Sequence, residues 1–105
     1  AKYVPILRRM AAAGWEPVPW AEADAETVSV ERFGTTLPLL FSVHNQGSEP
    51  MQATISVDVT RLGAEQVKGI RDLVTALPLE VTRREGQVAF TVTLPAGDAT
   101  VLEIR

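Results

Sequence analysis

The stretch MQATISVDVTRL, residues 51–62, alternates apolar and polar side chains along almost its whole length. Met51, Ala53, Ile55, Val57 and Val59 fall on one side, and Gln52, Thr54, Ser56, Asp58 and Thr60 on the other. A helix would scatter both sets around its axis, whereas a strand sends successive side chains to opposite faces. The rhythm therefore predicts a half-buried β-strand. QVAFTVTL repeats it, with Val88, Phe90, Val92 and Leu94 inward. Shorter versions place Val28 and Val30 on one face, and likewise Leu39, Phe41 and Val43. In ATVLEIR, Val101, Leu102 and Ile104 make both faces apolar, as an interior strand requires. NQGSEP, LGAEQ, REGQ and PAGD supply turn residues between these runs. Short strands spaced at about 8–12 residues predict a mainly β fold, an antiparallel β-sandwich of about seven strands.

Ahead of the sandwich, KYVPILRRMAAAG reads as an N-terminal α-helix. Tyr3, Ile6, Leu7, Met10 and Ala13 recur at spacings of three and four and form one apolar face, with Arg8 and Arg9 on the wet side. Pro5 suits a first turn, and Gly14 suits a left-handed stop. With so few cations the helix fits packing on its own domain or on a neighbour better than a membrane surface. In the connector WEPVPWAEADAE, Pro17 and Pro19 favour extended backbone between Trp15 and Trp20. The division expected is helix and connector over 1–25 and sandwich over 26–105. A helix already under way at residue 2, with no initiator Met, suggests a piece of a longer chain.

A chain of 105 residues suffices for one domain with a core, and 46% hydrophobic against 22% charged residues is ordinary for a packed protein. A net charge of −3 argues against nucleic acid and anionic membrane as main partners. The chain has no cysteine, hence neither disulfides nor thiolate metal sites. No apolar run nears the roughly 20 residues of a membrane helix.

Few residues suggest chemistry. His44 stands at a strand end on the face of Ser42, with neither nucleophile nor further metal ligands expected beside it. Glu22, Asp24 and Glu26 could attract calcium, but the glycine and ligand spacing of a calcium loop are missing, which favours a solvated connector. Arg71 and Asp72 in GIRDLVTALPLEV are strand neighbours, so they point to opposite faces and cannot pair with each other. Asp72 suits accepting backbone N–H groups at the following turn. No phosphate loop, nucleophile elbow or zinc-type His pair is present, so no catalytic residue, metal or cofactor is expected. The aromatic rings of Trp15, Trp20 and Tyr3 could form a sugar-stacking platform with Glu16 and Glu22 alongside. Alternatively the two Trp rings pin the connector to the sandwich or to a neighbouring domain.

Taken in order, YVPILRRMAAAGWEPVPWA, VERFG, LLFSVHNQGSEPMQATISVDV, IRDLVT and FTVTLPAGDATVLEI resemble the tail of bacterial glycoside hydrolases in which a (β/α)8 barrel is followed by a C-terminal β-sandwich. AGWEPV is similar to the link leaving the last barrel helix, VERFG to the first sandwich strand, and LPAGDATVLEI to the final one. The resemblance covers nearly the whole chain. It implies a non-catalytic accessory domain that stabilises or shields the barrel of the same chain, in an amylase-like or galactosidase-like parent. No catalytic residue is carried over, because those acids sit on barrel strands. Excised, the helix face would fold back or pair with a second copy as a homodimer. The competing readings are a carbohydrate-binding module using Trp15 and Trp20 on an oligosaccharide, and an interaction or adhesion sandwich exposing sheet edges. The compartment, cytoplasmic or secreted, is left open.

Overall fold

A computed structural model describes residues 3–105 and shows the expected antiparallel sandwich with one helix at its N-terminal end. Helix α1 runs Tyr3–Ala13. Gly14, at φ 88°, ends it, its N–H donating to the Met10 carbonyl at 3.0 Å. Ten strands follow: β1 Trp15–Glu16, β2 Ala21–Ala23, β3 Val28–Phe33, β4 Leu39–Asn45, β5 Met51–Asp58, β6 Ile70–Asp72, β7 Pro78–Leu79, β8 Thr82–Arg84, β9 Gln87–Leu94 and β10 Ala99–Ile104. The surplus over the expected seven or so is made of pieces two or three residues long. The connector contributes β1 and β2, and the run around Leu79 and Val81 is split between β7 and β8.

One sheet has the order β1-β3-β4-β10-β6-β7 and the other β2-β5-β9-β8. The proline-rich connector thus crosses from the edge of one sheet to the edge of the other. Its prolines sit outside β1 and β2, where no ladder N–H is lost. The long strands behave as their alternation dictates. Ala53, Ile55 and Val57 of β5 face Val88, Phe90, Val92 and Leu94 of β9 and, across the sandwich, Leu39, Phe41 and Val43 of β4 with Leu102 and Ile104 of β10, all buried. Val59, Ala64, Val67 and Ile70 extend this core along the β5–β6 connection. At about 25 cal/mol per Å² of apolar area removed from water, that interior is the main driving force for the fold.

The helix stripe is corrected. Only Ile6 is buried and Met10 half-buried, while Tyr3 and Leu7 are 53% and 58% exposed. Arg9, expected on the wet side, instead points at the sheet and pairs with Glu103. The helix lies on the outer face of the six-stranded sheet with Ile6 and Arg9 inward, so the apolar stripe is rotated off the contact. Leu40, outward on β4 and only 2% exposed, is covered on this side together with Ile6.

Candidate functional site

Among the described residues, the buried carboxylate belongs to Glu103. β10 is interior to its sheet, and since Leu102 and Ile104 enter the core, Glu103 must leave by the outer face. There it sits opposite Leu40 on one side and Arg71 on the other. Arg9 Nη2 donates to Oε2 at 2.6 Å, and Arg71 Nη2 to Oε1 at 3.4 Å. Removing a carboxylate from water is costly unless it is paired, and here two guanidinium groups supply the pairing. Both oxygens are engaged, so the group fastens α1 to the sheet rather than offering a free acid.

Arg71 and Asp72 separate to opposite faces as the strand geometry demands. Asp72 Oδ1 accepts from the Val74 and Thr75 N–H groups at 2.8 and 3.1 Å, closing the turn toward β7, and Thr100 Oγ1 donates to the same carboxylate at 2.8 Å. The expected turn-anchoring role is what the geometry shows. Two other buried polar side chains are equally architectural. Asn45, fully buried, donates from Nδ2 to the carbonyls of Glu49, Leu94 and Pro95 at 2.8–3.2 Å, while its Oδ1 accepts the Gly47 N–H at 3.0 Å. Arg32 donates to the carbonyls of Val18 and Gly34, tying the connector down.

His44 is half-buried on the outer face of the six-stranded sheet, in register with Ser29 and Ala99 and on the side of Ser42. Asp24 lies just past β2 and extends its contact with β5, its N–H donating to the Thr54 carbonyl at 3.1 Å and its Oδ1 accepting the Thr54 N–H at 2.8 Å. Among the described residues no group of three or more His, Cys, Asp or Glu side chains is arranged to hold a metal ion.

The three aromatic candidates fall on different elements. Tyr3 is on α1, and Trp15, 56% exposed, is on β1 at the edge of the six-stranded sheet. Trp20 is half-buried at the entry to the other sheet. Its φ of 53° is unusual for a bulky residue, and several bonds and contacts hold it there. The Asp58 N–H donates to its carbonyl at 2.8 Å, and the Arg61 guanidinium lies 4.6 Å from its ring centroid while pairing with Asp58 at 3.4 Å.

Beyond Trp20 lies a surface that residue-type reasoning overlooked. Three depressions of about 450, 430 and 300 Å³ follow one another over the outer face of the four-stranded sheet. The first is walled by Trp20, Glu22, Ser56, Arg61 and Gln87. It shares Ser56 and Gln87 with the second, which shares Thr54, Thr82, Ala89 and Thr91 with the third. A signal existed in the sequence: the middle outward positions of β5 and β9 are the short Thr54, Ser56, Ala89 and Thr91, and neither strand carries an outward Lys, Arg or Glu, which leaves the face low. No family model, no curated protein and no solved structure matches the chain.

Proposed function

We propose that this chain is a non-catalytic accessory β-sandwich of a bacterial glycoside hydrolase, packed through α1 and Trp15 against the (β/α)8 barrel of the same polypeptide. One observation carries the reading. Tyr3, Val4, Leu7, Trp15 and Val18, all large and apolar, are 45% or more exposed and gathered in the helix and the start of the connector. An apolar concentration of that kind marks a surface meant to be covered. The helix carrying it is itself fastened to the sandwich through Arg9 and Glu103, so it offers a firm platform. The resemblance of the ordered sequence phrases to glycosidase tails supports a barrel as that neighbour.

The test uses the two parts produced separately, this chain and the barrel encoded ahead of it. They should recombine into a one-to-one complex, with aryl-glycoside hydrolysis residing in the barrel alone. Leu7→Glu combined with Trp15→Ala should abolish the complex. Hydrolysis by this chain alone, failure to recombine, or an upstream region without barrel repeats would each overturn the reading.

A further inference from the structure

We infer that the outer face of the four-stranded sheet is a binding trough for a neutral oligosaccharide. This site is distinct from the α1 surface and does not depend on the docking reading. The two outer faces of the sandwich differ in kind. One is partly covered by α1, whereas no helix crosses the other among the described residues. Exposed sheet faces are ordinarily covered by long charged side chains. Here the middle of the face presents Thr54, Ser56, Thr82, Ala89 and Thr91, all short, and the Thr54 and Thr91 hydroxyls lie 3.3 Å apart across the β5–β9 ladder. The three linked depressions run across β2, β5, β9 and β8, and three strand spacings of about 4.8 Å give a path of roughly 14 Å.

The lining selects the ligand by chemistry. Ser and Thr hydroxyls and the Gln87 amide each both donate and accept, which matches a chain of ring hydroxyl groups. Charge stands only at the margins: Glu22, Asp58 and Glu80 oppose Arg61 and Arg84, and Arg61 already pairs with Asp58. A polyanion would meet three carboxylates against two guanidinium groups. An apolar peptide or lipid would meet hydroxyl and amide groups along the middle of the trough, where Thr54, Ser56, Thr82, Gln87 and Thr91 stand, with the segment 19–21 apolar at one end only. Trp20, fixed by Arg61 and the Asp58 backbone bond, closes one end as a preset wall, which lowers the ordering cost of binding.

The experiment is affinity electrophoresis of the 105-residue chain through gels containing galactomannan, xyloglucan, amylopectin or mixed-linkage β-glucan, with polygalacturonate as the anionic control. At least one neutral polysaccharide should retard the chain, and polygalacturonate should not. Ser56→Arg, which raises a long side chain in the first two depressions, should weaken retardation at least tenfold, whereas Trp15→Ala on the other surface should leave it unchanged. Should Ser56→Arg fail to fold, Thr91→Lys at an exposed position serves as the blocking variant. No retardation by any of the four neutral polymers overturns the inference. So does stronger retardation by polygalacturonate, or binding lost in Trp15→Ala and kept in the folded blocking variant.

Discussion

Asn45 shows how much one side chain can hold. Its amide serves carbonyls in the turn after β4 and at the end of β9, and its oxygen takes the Gly47 N–H, so four backbone groups depend on it. Buried polar groups stripped of their partner retain the full desolvation penalty. Asn45→Ala should therefore destabilise the fold by about 2–4 kcal/mol in urea unfolding. Asn45→Asp should not rescue it, because an ionised carboxylate keeps the volume but loses both donors. A loss under 1 kcal/mol would mean that these carbonyls find other partners. The neighbouring Gly47 belongs to the same construction. A Cβ there would lie 3.0 Å from Thr27 Cγ2 and 3.2 Å from Asn45 Oδ1, so Gly47→Ala should cost about 1–2 kcal/mol. The sequence marks NQGSEP as a turn, but not that Asn45 reaches Leu94. That partner lies 49 positions away and depends on how the two sheets stack. Asp72 was legible for the opposite reason, since its main partners are two and three residues ahead.

Among the elements, the long strands were readable and the short ones were not. β5 and β9 each bury alternate residues over eight positions, enough for the period to stand out. β1 and β2 are two and three residues long and flanked by prolines, so their strand character comes from the sheet edges they meet. The face α1 turns to the sheet differs from the five-residue stripe the spacing suggests: Ile6 is buried there and Arg9 pairs with Glu103, while Tyr3 and Leu7 stay exposed. This arrangement can be measured. In a double-mutant cycle of Arg9→Ala and Glu103→Gln, the coupling should be about 1 kcal/mol, since Arg9 is 41% exposed and solvent weakens the attraction. Glu103→Gln alone should cost more, about 1–3 kcal/mol, because it also disturbs Arg71. A coupling near zero would mean that Ile6 and Leu40 hold the helix without the ion pair.

For the whole molecule, the decisive asymmetry lies between its two outer surfaces. One displays apolar side chains on α1 and β1, the other short hydroxyl side chains on β5, β8 and β9. The first is legible in the sequence as apolar residues left over once the core is filled, but only the structure shows which of them the helix turns outward. Five partly exposed side chains make a small patch beside the roughly 800 Å² per partner of a standard interface, so pairing between two copies should be weak. Sedimentation velocity on the isolated chain should accordingly show monomers at micromolar concentration and reversible association only well above it. Leu7→Lys with Trp15→Ser should remove that association and leave the unfolding free energy within about 0.5 kcal/mol, as for substitutions outside a packed core. If the same double variant instead loses several kcal/mol, those side chains are packed within the domain rather than held out for a neighbour. The accessory-domain reading would then lose the surface on which it rests, while the trough on the other sheet would be untouched.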